Sequence, residues 1–201
     1  MKVLVLFAHP ALEKSRAHAA MIRHTKKIPG ITFHDLYQLY PDFDIDVKKE
    51  QALLLQHEVI IWQHPFYWYS APPLIKQWED LVLEHGWAYG TGGTMLRGKR
   101  IFNAITCGGP RSVYAKEGRN RFTIRELLYP FDQTTHLCKM EYLPPFVVDG
   151  THRLTKDDIE KYALQYKELL ELLVNDKLTA TDWSRVEFLN DLLPFSQPIQ
   201  S

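Results

Sequence analysis

Apolar and polar positions along the chain fall into short runs of two different periods, and the runs alternate. Residues 3–7 are apolar throughout, as suits a strand covered by helices on both faces. Over residues 15–28, Ala17, Ala20, Met21, His24 and Ile28 recur at helical spacing, with Ser15 as N-cap and Pro29-Gly30 as the stop. A second strand is expected over 31–36. A helix follows over 46–57, capped by Asp46, with Leu53 and Leu54 facing inward. Residues 59–62 predict a third strand. A helix starting at Pro73, where a missing N–H costs nothing, places Leu74, Trp78, Leu81 and Val82 on one stripe.

Residues 100–106 predict the fourth strand, and 122–137 a helix that Pro130 must kink or interrupt. Residues 140–148 predict a fifth strand, bent at Pro144-Pro145. Thr155 and Asp158 approximate a capping box ahead of a long stripe of Ile159, Tyr162, Ala163, Tyr166, Leu169, Leu170 and Leu173. Five strands alternating with helices imply an α/β fold with a doubly wound parallel sheet. The domain is expected over 1–175. Beyond it, Trp183, Phe188, Leu189, Leu192, Leu193 and Phe195 punctuate a polar tail, 176–201, suited to packing on the domain or on a partner.

Composition narrows the function. Lys+Arg and Asp+Glu both number 24, so no positive excess supports a nucleic-acid binder or a polybasic anchor. Cys107 and Cys138 have no metal or disulfide spacing, which suits a reducing, cytoplasmic setting. The apolar start is too short for a secretory leader and reads as the buried first strand. His57, His85, His136 and His152 show no metal spacing, so no metal centre is expected.

Three loops carry the candidate chemistry. The first, His9 to His18, enters a helix whose free N–H groups attract anions, and Ser15, Arg16 and the histidines reinforce a phosphate there. The second, Pro65-Phe66-Tyr67-Trp68-Tyr69, sets large flat side chains at the end of the third strand, where a planar ligand or a partner surface would cover them. The third, Thr106-Cys107-Gly108-Gly109-Pro110-Arg111, has two glycines that let backbone approach a ligand closely. Cys107 reads as a wall residue, without a histidine to activate it. Residues 93–99 have P-loop spacing, but Arg100 takes the place of Ser or Thr and the segment precedes a strand, so a nucleotide triphosphate site is excluded. Convergence of the three loops suits a phosphorylated planar ring such as a flavin mononucleotide.

On these residues the chain resembles the flavodoxin-like NAD(P)H:quinone oxidoreductases, and especially the ancillary flavoproteins of glutathione-gated potassium efflux systems (the KefF/KefG type). The matching text is Phe7-Ala8-His9-Pro10, His34-Asp35-Leu36-Tyr37, Leu39-Tyr40-Pro41-Asp42-Phe43, Gln63-His64-Pro65, Trp68-Tyr69-Ser70 and Gly86-Trp87-Ala88-Tyr89-Gly90. It spans roughly residues 2 to 170. The resemblance implies strand order 2-1-3-4-5 and an FMN cofactor (FAD less so), with NAD(P)H as co-substrate. It also implies two-electron ping-pong transfer, through the flavin N5, to a quinone or another electrophile. His9, Ser15, Arg16, Ala17 and His18 would hold the phosphate. Pro65 to Tyr69 would lie along the ring, and Thr106 with Gly108 to Arg111 would close over its polar edge.

Tyr114 falls where larger quinone reductases place a tyrosine that stabilises the reduced flavin, which marks it as catalytic; Asn120 replaces the histidine that assists it there. His18 replaces an asparagine, which would make phosphate affinity pH-dependent. Trp87 and Tyr89 would bind substrate in the pocket of a second subunit, since such proteins resemble homodimers with shared sites. The same resemblance implies the cytoplasmic domain of a potassium efflux antiporter as partner, with a location in the cytoplasm or at the cytoplasmic face of the inner membrane. A regulatory binding subunit with secondary redox activity is the alternative, and a one-electron carrier the third.

Overall fold

The computed structural model of the chain describes residues 1–193; Phe195 and its neighbours lie outside them. A parallel sheet forms the centre. Its strands are β1 (Val3–Phe7), β2 (Ile31–Asp35), β3 (Val59–Pro65), β4 (Arg100–Thr106), β5 (Glu141–Tyr142) and β6 (Phe146–Val148). The spatial order is β2-β1-β3-β4-β5, with β6 also pairing β4, so the last two share the fifth position. Pro144 and Pro145 cause that division, because neither can donate to the β4 ladder. Val5 lies opposite Phe33 on one side and Ile61 on the other. The chain thus leaves β1 in both directions, and the crevice of an open α/β sheet opens above that reversal.

Alternation along the strands builds two cores. Leu4, Leu6, Ile60, Trp62, Ile101 and Ile105 pack against α3 (Val47–Leu55), α4 (Pro73–Val82) and α6 (Tyr129–Leu137). Val3, Val5, Phe7, Ile61, Phe102 and Phe146 pack against α1 (Arg16–Thr25) and α7 (Lys156–Val174). Each such side chain, fully buried, contributes about 1.5–3 kcal/mol.

Local chemistry sets the ends. Ser15, Asp46 and Thr155 each accept an N–H of the first helical turn, and Thr155 forms a reciprocal box with Asp158. Several expected boundaries move. The second strand stops at Asp35, whose carboxylate accepts the Gln38 N–H and starts the short helix α2 (Leu36–Leu39). The third strand runs on to Pro65 because Gln63 to Pro65 stay in register with Ala104 to Thr106. α1 ends at Thr25, before Ile28. Leu81 turns outward, 38% exposed, and Ile75 completes the buried stripe of α4. Residues 122–137 split into α5 (Ile124–Leu127) and α6, and Pro130 stands in the first turn of the second helix, where it starts a helix instead of kinking one. Past α7, a short helix α8 (Ala180–Trp183) and a 3₁₀ turn (Leu189–Leu192) return to the sheet, burying Trp183, Phe188, Leu189 and Leu193.

Candidate flavin-binding site

An open cleft of about 650 Å³ lies at the carboxyl ends of β1, β3, β4 and β6. One wall is the entry to α1: His9, Lys14, Ser15, Arg16 and Ala17. The Arg16 and Ala17 N–H groups, in the first turn of a ten-residue helix, have no intrahelical acceptor. They add to the positive end of the helix beside Lys14 and Arg16, which favours an anion. The Arg16 guanidinium also donates to the Thr151 and Leu154 carbonyls (both 3.1 Å), tying the loop after β6 to α1. His9 Nδ1 accepts the Ala11 N–H (3.1 Å), so its neutral ring carries the proton on Nε2 and keeps a donor in the lining. Burial lowers its pKa.

The second wall is Pro65, Phe66, Tyr67 and Trp68. Phe66 N–H donates to Thr106 O (2.8 Å) and Ser70 N–H to Tyr67 O (2.9 Å), closing a tight turn. Inside it Trp68 (φ 47°) and Tyr69 (φ 65°) adopt the left-handed region, a cost of about 1–2 kcal/mol each. Trp68 is 92% exposed. A strained turn that displays an indole to solvent is poorly explained by stability alone, and well explained by a flat ligand or a partner surface.

Thr106, Gly108, Thr151 and His152 form the floor and far side. The loop after β4 is laced to that after β6 by Gly150 N–H to Gly109 O (2.9 Å) and Thr151 N–H to Cys107 O (3.1 Å). A Cβ on Gly108 would stand 2.3 Å from His152 Nε2, so glycine makes room for the imidazole.

Beneath the cleft run two buried hydrogen-bond chains, one on each face of the sheet. Tyr166 donates to Gln63 Oε1 (3.1 Å), and Gln63 Nε2 donates to His18 Nδ1 (3.3 Å). His18 Nε2 then donates to Thr106 Oγ1 (3.1 Å), which leaves the Thr106 hydroxyl proton for an acceptor in the cleft. On the other face Tyr142 donates to Asn103 Oδ1, Asn103 Nδ2 to His64 Nε2 (3.0 Å), and His64 Nδ1 to Pro65 O (3.0 Å). Burial holds His18 well below its usual pKa, with the His9 and His64 rings adding to the effect, and pushes His64 down to about 4.

Several residues expected at the site stand in other surroundings. His18, expected at the phosphate, is fully buried with both ring nitrogens engaged, so it stands behind the wall; burial holds its pKa well below the usual range, which works against a change of charge near neutrality. Arg111 turns away from the cleft: its N–H is taken by Asp149 and its guanidinium by Glu187 (2.6 Å). Tyr69, Gly109 and Pro110 lie outside the lining. Tyr114 sits just beyond it, its ring 6.1 Å from Phe66 and its hydroxyl against Cys107. Burial raises the pKa of both, Cys107 to about 12, so neither ionises near neutral pH. Trp87 and Tyr89 occupy a separate loop, packed on the core, and line no part of this cleft. Sequence reading missed Lys14, Thr151 and His152. The signal is present in part, since residues 149–152 follow the last strand of the sheet and the ends of the first, third and fourth strands read as ligand loops.

The Flavodoxin_2 family profile, described as a flavodoxin-like fold, matches residues 1–170. The chain belongs to this flavodoxin-like family. Within the family, it is 48% identical to the uncharacterized NAD(P)H oxidoreductase YrkL of Bacillus subtilis (strain 168), over 85% of this chain and 98% of that protein. It is 43% identical to the glutathione-regulated potassium-efflux system ancillary protein KefG of Pectobacterium carotovorum subsp. carotovorum (strain PC1), over 84% of this chain and 92% of that protein. The crystal structure of general stress protein 14 from Treponema denticola, in complex with FMN, superposes with a TM-score of 0.82 at 37% identity, covering 86% of this chain and 99% of that one.

Proposed function

We propose that the protein is an FMN-dependent NAD(P)H:quinone oxidoreductase. One observation carries the reading: a cleft of about 650 Å³, inside the roughly 300–1,000 Å³ usual for ligand sites, combines a helix N-terminus, a flat aromatic wall and a glycine floor at the switch point of the sheet. The residues present fit a flavin mononucleotide. Arg16 and Ala17 N–H groups, Ser15 and His9 would hold its phosphate. Phe66, Tyr67 and Trp68 would face the ring, and the Thr106 hydroxyl and Gly108 backbone would meet polar atoms. The FMN-bound structure of a protein 37% identical to this chain supports this choice, and among the described residues no extension suited to an adenylate favours FAD.

When bound, the flavin supplies two-electron redox chemistry, while this chain supplies orientation, donors and exclusion of water. Tyr114, kept protonated by burial, stands next to Phe66 with its hydroxyl turned to Cys107. A single cleft serving NAD(P)H and a quinone in turn gives ping-pong kinetics. Steady-state rates with both substrates varied should then give parallel double-reciprocal lines, and intersecting lines would count against the scheme.

Exposed Tyr67, Trp68, Tyr69 and Phe122 give a second copy an aromatic surface to cover, and Trp87 and Tyr89 a partner cleft to reach. Sedimentation showing a monomer at micromolar concentration would remove that element. Among the described residues no helix is long and apolar enough to cross a membrane; we place the protein in the cytoplasm or against the inner membrane's cytoplasmic face. The KefG relative favours a second role as ancillary subunit of a potassium efflux antiporter. Co-purification with such an antiporter, retained in variants without turnover, would make that role primary.

A further inference from the structure

The family profile stops at residue 170, and 171 aligned residues account for 98% of the Bacillus relative. Residues 178–193 are additional to that shared segment, yet they are built into the fold. Leu189 N–H donates to Pro145 O (3.0 Å). The Asn190 side chain then pairs with β6 as a strand would, accepting Val147 N–H (2.8 Å) and donating to Val147 O (3.1 Å). Asn190 also exchanges hydrogen bonds with Gln165 of α7 (3.1 Å each way), so the sheet edge is closed.

This anchoring delivers three side chains to Arg111 in the loop after β4. The guanidinium lies 3.9 Å over the ring of Phe188, which is 2% exposed. Glu187 pairs with it at 2.6 Å and Asp191 at 3.7 Å. Asp149 holds its backbone N–H at 2.5 Å. Exposed ion pairs alone do little, but stacking a cation on a buried aromatic face is stronger, and the contacts act on one side chain together. Gly108, on the same loop and separated from Arg111 by Gly109 and Pro110, is part of the cleft floor.

We propose that residues 178–193 form a strap which, through Arg111, fixes loop 107–114 in the geometry that receives the flavin, making Glu187, Phe188 and Asp191 positioning residues. The proposal rests on the FMN reading of the cleft. Two full-length variants test it, Glu187→Ala/Asp191→Ala and Phe188→Leu, by amide exchange of flavin-free protein and by FMN titration. In the double variant, exchange of 108–114 should speed at least about fivefold while the exchange of β1 and β3 stays as in the parent. The FMN dissociation constant should rise about three- to tenfold. Phe188→Leu should do the same; if it unfolds, the double variant decides. Unchanged protection of 108–114 in the double variant overturns the strap. If the parent protein binds no FMN, the reading of the cleft fails, and the exchange result still decides whether the strap holds the loop.

Discussion

The rim of the cleft and the interior around Glu50 are built from similar groups, yet they have opposite uses. Glu50 on α3 is fully buried and its oxygens are consumed inside the protein. Oε1 takes His34 Nε2 (2.7 Å) and the Tyr40 hydroxyl (2.6 Å), and Oε2 takes Trp78 Nε1 (2.9 Å). Burial works against its charge, and these donors together outweigh it, so its pKa is lowered. At the rim, His9, Thr106 and the first turn of α1 each keep a donor that no protein acceptor takes among the described residues. A polar cluster whose hydrogen bonds all close on themselves ties elements together; one with donors left over receives a ligand.

Substitutions should separate these two uses. The largest effect is expected for Glu50→Ala, which strands His34, Tyr40 and Trp78: unfolding free energy in urea should fall by about 3–5 kcal/mol. FMN affinity of the folded fraction should not change. A loss below about 1 kcal/mol would mean that water replaces the carboxylate and the cluster is open.

Next comes pH. A base whose pKa is depressed on folding contributes its full stability above 6.5 and loses it as pH falls toward the folded value, about 4 for His64. The drop across that window should reach at most about 3 kcal/mol for His64. His18 adds in the same direction, while Glu79, raised to about 7 by burial, acts in the opposite one. His64→Gln should shallow the acid slope measured by denaturation at several pH values; an unchanged slope would show that His64 is not desolvated.

Ser15→Ala removes the cap of α1 and should cost about 1 kcal/mol of stability while also weakening FMN binding. Loss of stability without loss of affinity would place the anion elsewhere. The smallest change in stability is expected for Gly108→Ala, within about 0.5 kcal/mol, because the His152 ring that its methyl meets is exposed and can swing aside. FMN affinity should nonetheless fall about tenfold, as the floor is displaced.

Much of this was legible along the chain because it is local. Caps at Ser15, Asp46 and Thr155, the break in direction at Pro144-Pro145, expected as a bend and found as a division, and the start of α4 at Pro73 depend on neighbours a few residues away. The order of strands and the three loops over the cleft followed from alternation and from the family likeness. What escaped depends on distant partners. Whether His18 faces a ligand or the interior is decided by Gln63 and Thr106, and Arg111 is drawn off by Glu187, 76 residues along the chain. Leu81 fitted the helical stripe, but α4 meets the sheet along Leu74, Ile75, Trp78 and Val82. His152 carried no motif and gained its place only because the fold sets its loop beside Gly108.

The central claim is that this rim holds a flavin, and titrating purified, flavin-stripped protein with FMN while following flavin fluorescence tests it most directly. Saturable quenching at one FMN per chain, a yellow complex, and a released chromophore with the mass of FMN are expected. Protein that is folded yet remains colourless and leaves flavin fluorescence unchanged would contradict it.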